Sequence, residues 1–241
     1  MKTWQFIISK PASGRENMEL DLKLFREATE PIIRIYSWAH QCISVGYAQK
    51  IDELLVLAKT SELGWEIVKR PTGGGIVFHN EAEVTFSVVA GLDDLPAGLL
   101  PSYYKVSEAV LEALRMIGVA AQIKASPTIT VGDGGMNPLP VAEEKGVRSL
   151  CFSYPAEYEI VCQGKKIVGS AQKRGRAKLL QQGSIFVKNP GLEILQVLKN
   201  PAGEVKAISL EEVLGRVPCF DELAKALKTS FQKVLGVEFK Q

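Results

Sequence analysis

Hydrophobic residues recur along the chain with two periods, and the switching between them predicts an irregular succession of strands and helices. Trp4–Ser9 reads as a strand. Ser13-Gly14-Arg15-Glu16 has the spacing of a capping box, in which hydroxyl and carboxylate each accept from a backbone N–H left free at a helix start, and it opens a helix through about Glu27. Ile32–Trp38 and Cys42–Tyr47 predict a pair of adjacent strands. A short helix is expected from Asp52 to Leu63, closed by Gly64, since glycine tolerates the left-handed conformation that ends helices. Trp65–Lys69 and Ile76–His79 read as strands flanking a glycine run, and Val84–Ala90 alternates so as to continue the same sheet. Tyr103, Val106, Val110, Leu114 and Ile117 fall three and four apart, the stripe of a core-facing helix ended by Gly118.

From Ser126 to Leu150 the periodicity stops and Gly, Pro and charge take over, a loop long enough to suggest function or disorder. Tyr158–Cys162 and Ile167–Ala171 then bracket Gly164-Lys165-Lys166 as a hairpin, with Leu180–Val187 a further strand. A second capping box, Ser209-Leu210-Glu211-Glu212, precedes a helix around Glu222–Leu235 that turns Leu223, Leu227, Phe231 and Val234 inward. No linker divides the chain, so residues 1–241 are read as one catalytic domain, with the residues after about 190 as a possible small helical appendage. The fold class is α+β, a mixed β-sheet flanked by helices.

Composition narrows the function. The 241 residues are 46% hydrophobic and 23% charged, an ordinary globular balance, and the net charge of +2 provides no duplex-scale basic surface for nucleic acid. Apolar runs stay short of the ~20 residues that span a bilayer, and the N-terminus lacks a signal-peptide core, so a cytoplasmic protein away from membranes is expected. Cys42, Cys151, Cys162 and Cys219 show no C-x-x-C spacing and His40 and His79 are far apart, which argues against a zinc cage.

Three segments concentrate the chemistry. In Arg70-Pro71-Thr72-Gly73-Gly74-Gly75-Ile76-Val77-Phe78-His79, three glycines strip a turn of side chains and let backbone N–H groups approach a carboxylate, phosphate or acyl chain, with Arg70 and His79 flanking. The spacing is neither that of a Walker loop nor that of a dinucleotide fingerprint. In Gly164-Lys165-Lys166-Ile167-Val168-Gly169-Ser170-Ala171-Gln172, Lys166 is either a solvated lysine at the hairpin tip or, by strand alternation, aimed into a cleft beside the bare backbone of Gly169, where its charge lowers the pKa of a nearby thiol. Lys165 is assigned to the solvated hairpin tip. Cys151 sits at a loop-to-strand boundary, where a cysteine is either exposed enough to react or simply buried, whereas Cys42 and Cys162 lie within apolar strands as packing residues.

Taken in order, these motifs, followed by Glu83-Val-Thr-Phe-Ser87 and Gln182-Gly-Ser-Ile185 and preceded by Arg34-Ile-Tyr-Ser-Trp38 and Ser44-Val-Gly46, resemble the lipoate/biotin protein ligase and octanoyltransferase superfamily. The resemblance covers residues 3–190. It implies the fold shared by biotin ligase and class II aminoacyl-tRNA synthetase catalytic domains, with an acyl cleft lined by the glycine loop and a lysine. The setting of Cys151, Cys-Phe-x-x-Pro-x-x-Tyr-Glu, resembles the cysteine-dependent octanoyltransferases, which take an acyl group from acyl carrier protein through a Cys thioester. Gly73-Gly74-Gly75 instead resembles the ATP-dependent lipoate ligases.

On the transferase reading Cys151 and Lys166 are catalytic, and Arg70, Gly73, Gly74, Gly75, His79, Gly169, Ser170 and Ala171 bind the octanoyl or lipoyl group. No cofactor is required, and the partners are acyl carrier protein and lipoyl-domain proteins such as glycine cleavage H protein and the acyltransferase subunits of 2-oxoacid dehydrogenases. A monomer is expected. The alternatives are a ligase using ATP and Mg to form a lipoyl-adenylate, with Cys151 incidental, and a non-catalytic acyl-binding subunit. Lys173, Arg174, Arg176 and Lys178 form a basic run that either docks an acidic carrier or is merely solvated.

Overall fold

The structure, a computed structural model, describes residues 2–124, 159–201 and 207–240. Cys151 and the segment 126–150 lie outside them. Strand β1 (Lys2–Ile8) leads to α1 (Gly14–Glu27), which starts as its capping box predicts: the Glu16 backbone N–H donates to Ser13 Oγ at 3.2 Å, and the Ser13 N–H donates back to the Glu16 carboxylate at 3.0 Å. Next come β2 (Ile32–Tyr36), β3 (Cys42–Val45), α2 (Ile51–Leu54), α3 (Leu57–Glu62), β4 (Glu66–Lys69), β5 (Val77–His79) and β6 (Val84–Gly91). The long helix α4 (Leu99–Met116) buries Val106, Val110 and Leu114 and gives way to Gly118 at φ +89°. Strands β7 (Gln122–Ile123), β8 (Ile160–Cys162), β9 (Lys165–Arg174) and β10 (Lys178–Ile185), helices α5 (Leu210–Leu214) and α6 (Phe220–Leu235), and β11 (Val237–Phe239) complete the order.

Among the described residues the strands form a mixed eight-stranded sheet, β11-β1-β2-β6-β10-β9-β8-β7, and a three-stranded sheet, β4-β3-β5. The main core lies between the large sheet and the pair α4 and α6, where Leu223, Leu227 and Phe231 are fully buried. The chain after residue 190 belongs to this body, because α6 packs on α4 and β11 pairs with β1. A second core under the small sheet gathers Ile43, Val45, Leu55, Trp65 and Phe78 with Val197 and Leu198.

Four expectations need correction. Strands β2 and β3 do not pair: β1 and β6 occupy both edges of β2, and the chain crosses at Trp38 to start the small sheet. For the same reason β6 does not continue the sheet of β4 and β5 but enters the large one. The helix expected over Asp52–Leu63 is two short helices, because the Val56 N–H donates to Val197 O and Leu55 bridges Leu198, which straightens the chain between them. The hairpin turn is Gln163-Gly164, with φ +51° and +75°, as two-residue primed turns require, so Lys165 and Lys166 belong to the strand and not to the tip. Among the described residues no helix is long and apolar enough to cross a membrane.

Candidate functional site

A cavity opens where the two sheets face one another. Met18 of α1, Tyr36, Trp38 and Val77 supply its apolar wall; Ser44, Arg70, His79, Thr85, Gln182 and Ser184 line the polar side; Gly169, Ser170, Ala171 and Gly183 complete the lining where β9 and β10 pair. It encloses about 370 Å³, part of it open to solvent. Five residues singled out in the sequence therefore meet here: Arg70, His79, Gly169, Ser170 and Ala171.

Arg70 is nearly buried and spends its guanidinium on the chain itself. Nη2 donates to Gly73 O at 2.8 Å and Gly75 O at 2.6 Å, and Nη1 to Ser44 O at 2.9 Å and Ser44 Oγ at 3.1 Å. The carbonyls of Gly73 and Gly75 turn toward Arg70, so the glycine loop is wrapped around a cation. The loop also needs the glycine opposite it, for a Cβ on Gly46 sits 2.2 Å from Gly74 O. Gly73, Gly74 and Gly75 are not among the residues lining the cavity; they bound it through Arg70.

His79 is held on three sides. Its imidazole stacks on Trp38 with centroids 3.8 Å apart, Nε2 lies 2.7 Å from Ser44 Oγ, and Nδ1 lies 2.7 Å from Glu83 Oε1. Ser184 also donates to Glu83 Oε1. Ser184 Oγ lies 3.0 Å from Thr85 Oγ1, which accepts from Trp38 Nε1 at 2.9 Å. Burial and the nearby Arg70 charge hold the His79 pKa well below the usual imidazole range, and burial raises that of Glu83. Both groups are pushed toward their neutral forms.

Beneath the cavity, Asp21 accepts from Arg34, Ser87, Tyr36 and Gln182 at 2.7–2.9 Å, which fixes the two lining residues Tyr36 and Gln182. At the rim Ser170 Oγ donates to the Tyr103 hydroxyl at 2.7 Å, tying β9 to α4. Lys166 is fully buried on β9 with its ammonium donating to Glu159, and it is not among the lining residues. Burial of a lysine is tolerated where a carboxylate meets it. Its expected partner Cys151 lies outside the described residues. Cys42 and Cys162 are buried in strands, and Cys219 is exposed at the start of α6. In the basic run, Arg174 caps the Gly98 carbonyl, Lys178 binds the end of α1 and Lys173 rides over Tyr47, so three of the four cations have partners within the chain.

The sequence reading did not assign Ser44, Glu83, Trp38, Asp21 or Glu159 to the site. Ser44, Trp38 and Glu83 stand inside quoted motifs, but nothing local marks them as partners of His79. Among the described residues no group of His, Cys, Asp and Glu is placed to hold a metal ion.

Comparison with known proteins agrees with this geometry. The family of the lipoyl protein ligase A/B catalytic domain matches residues 13–232. Octanoyltransferase LipM of Carboxydothermus hydrogenoformans is 34% identical over 212 residues, 86% of this chain and 73% of that protein. Its counterpart in Moorella thermoacetica is 33% identical over 254 residues, 99% of this chain and 88% of that one. In fold the chain is similar to a lipoate-protein ligase A bound with ATP (TM-score 0.76, 23% identity, covering 100% of this chain and 88% of that one). It is also similar to the bipartite lipoate protein ligase of Thermoplasma acidophilum, described with its E2 lipoyl domain (TM-score 0.74, 21% identity, covering 100% and 87%). The expected mixed sheet flanked by helices is thus the observed one, and the chain belongs to the lipoyl protein ligase A/B catalytic domain family.

Proposed function

We propose that this protein transfers an octanoyl group from acyl carrier protein to the target lysine of lipoyl-domain proteins, through a thioester on Cys151. The observation that carries the reading is the near full-length similarity to octanoyltransferases, 33% identity over 99% of the chain. The cavity supports it: an apolar wall suits an aliphatic chain, and Arg70, the one cation among the described lining residues, already spends donors on the glycine loop.

In this scheme the Cys151 thiolate attacks the carrier thioester, the carbon–sulfur bond to the carrier breaks, and the carrier leaves as a thiol. Lys166 favours the thiolate by its charge. The lysine amine of the lipoyl domain, in its neutral form, then attacks the Cys151 thioester; an amide forms and the thiol is returned. Amide formation from a thioester is downhill, so no cofactor is consumed. A backbone N–H of the lining stretch Gly169-Ser170 is the donor assigned to the developing oxyanion. Acyl carrier protein as donor, and glycine cleavage H protein or 2-oxoacid dehydrogenase subunits as acceptors, belong to the same proposal.

Intact mass spectrometry after incubation with octanoyl-acyl carrier protein, without ATP, tests it. A hydroxylamine-sensitive octanoyl adduct on the parent and none on Cys151→Ala is expected. Should neither protein be acylated, while ATP and free lipoate modify a lipoyl domain equally with both, the ligase chemistry of the ATP-bound structural neighbour holds instead.

A further inference from the structure

Octanoyl transfer as proposed uses Cys151 and Lys166 and assigns no chemistry to the chain of hydrogen bonds that runs through the cavity wall. That chain has an order. Arg70 Nη1 donates to Ser44 Oγ at 3.1 Å; the Ser44 hydroxyl donates to His79 Nε2 at 2.7 Å; His79 Nδ1–H donates to Glu83 Oε1 at 2.7 Å. The tautomer follows from the partners, since Oε1 also accepts from Ser184 and a carboxyl proton, when present, sits on Oε2, which has no partner among the described residues. An acceptor at Nδ1 fixes the hydrogen there and leaves Nε2 as a base facing the serine.

Hydroxyl, imidazole and carboxyl in that sequence, with both spacings at 2.7 Å, meet the geometric requirement for an activated nucleophile, a base and a group that orients the base. Two further observations distinguish this from ordinary core satisfaction. Ser44 and His79 both line the cavity that the proposed function fills with an acyl chain, and Arg70, which lines it too, donates to the serine oxygen at 3.1 Å and so turns the serine proton toward the imidazole. Trp38, stacked 14° from coplanar with the imidazole, keeps the ring from rotating out of line.

We propose that Ser44, His79 and Glu83 form a second acyl-accepting centre, which takes an acyl group onto the Ser44 oxygen and passes it to water, giving the protein a hydrolytic activity toward medium-chain acyl thioesters and esters. This rests on the acyl cavity of the function proposed above but not on Cys151. In the first step the Ser44 oxygen bonds to the acyl carbon, its proton moves to His79 Nε2, the carbon–sulfur or carbon–oxygen bond of the donor breaks, and the leaving thiolate or alkoxide takes that proton. In the second, His79 removes a proton from water, the hydroxide adds to the ester carbon, and Ser44 departs and is reprotonated. The net change is acyl donor plus water to carboxylic acid plus thiol or alcohol. Ser44 is almost wholly buried, so it meets a chain seated in the cavity rather than a substrate in bulk solvent.

The test uses p-nitrophenyl octanoate and octanoyl-pantetheine with the full chain, in the parent, Cys151→Ala and Cys151→Ala/Ser44→Ala, together with fluorophosphonate labelling and peptide mapping. Expected are a phosphonate adduct on Ser44 of the parent, hydrolysis that persists in Cys151→Ala, and its fall by at least about 100-fold when Ser44→Ala is added, because the nucleophile is lost and the base left without the proton it takes. An unlabelled Ser44, or equal hydrolysis by Cys151→Ala and the double variant, overturns the proposal and leaves the triad as a support for Arg70. The labelling arm needs no variant, so misfolding of a substituted chain does not blur the result. Octanoylation of Cys151 by acyl carrier protein, followed in the same spectra, decides the transfer reading separately.

Discussion

Asp21→Ala is the substitution whose cost can be worked most directly from the structure. Asp21 and Arg34 are 0% and 1% exposed at the side chain and pair at 2.8 Å. Ser87 Oγ (2.8 Å), the Tyr36 hydroxyl (2.9 Å) and Gln182 Nε2 (2.7 Å) take up the remaining acceptor positions of the carboxylate. Alanine leaves the guanidinium in the core without its counter-charge. The cost of removing one partner from such a pair is about 3–5 kcal/mol, most of it the penalty of the stranded charge. Arg34 keeps Ser9 Oγ, Asn17 Oδ1 and the Tyr36 ring, which places the expectation near the lower end, about 3 kcal/mol. That is a large part of a typical domain's total of about 5–15 kcal/mol. Urea unfolding followed by far-ultraviolet circular dichroism measures it as a lowered midpoint at unchanged slope. The pairwise origin predicts a second result: Asp21→Leu/Arg34→Met, which removes both charges, recovers much of the loss. Because Tyr36 and Gln182 lose an anchor, octanoyl transfer falls further in Asp21→Ala than the folded fraction accounts for. A loss below about 1 kcal/mol in the single variant, or no recovery in the double, refutes the stranded-charge reasoning.

Three shorter predictions concern the cavity and the thiols. Gly46→Ala places a methyl 2.2 Å from Gly74 O, so the loop held by Arg70 must move; transfer activity is expected to drop at least about tenfold, with about 1–3 kcal/mol of stability lost, as measured by acyl-transfer kinetics and thermal unfolding. Iodoacetamide on the folded protein should modify Cys219 and spare Cys42, whose thiol is raised mainly by burial and further by Glu66 and Glu83, and peptide mapping that finds Cys42 alkylated before unfolding counts against this. As pH falls from about 6.5 toward 4.5, the lowered His79 pKa removes stability and the raised Glu83 pKa adds it, so the two oppose one another; in Glu83→Gln only the His79 contribution remains, and stability falls more steeply through that window than in the parent. Parallel stability curves for parent and variant contradict it.

Where structure is set by neighbours a few residues away, the sequence is easily read. The capping boxes at Ser13 and Ser209 form with both reciprocal bonds, and the stripes Val106-Val110-Leu114 and Leu223-Leu227-Phe231 face the core as their spacing requires. Strand pairing is another matter, because alternation says which face of β2 is buried and nothing about which strand lies alongside. The break between α2 and α3 is likewise caused from outside, by Val197 and Leu198, and no feature of Asp52–Leu63 announces it. The site follows the same division. Arg70, His79 and Gly169-Ser170-Ala171 are legible because their types are unusual beside glycines in strands, whereas Ser44 looks like any strand serine until β3 pairs with β5 and brings its hydroxyl to the imidazole.

The two buried carboxylates that hold lining residues of the cavity are partnered differently. Four donors converge on Asp21, two on each oxygen, with the Arg34 charge among them, so any movement of that side chain breaks several bonds at once. Glu83 receives both of its donors on Oε1 and has Oε2 without a partner among the described residues. A buried polar atom left in that condition costs free energy, and a glutamine amide there would leave two N–H donors unpartnered instead. What glutamate adds over glutamine is a proton that can be taken up or released behind His79 while Oε1 keeps the ring in place. The arrangement therefore separates two tasks: Asp21 fixes Tyr36 and Gln182 in the cavity wall from below, and Glu83 orients the imidazole that faces into the cavity.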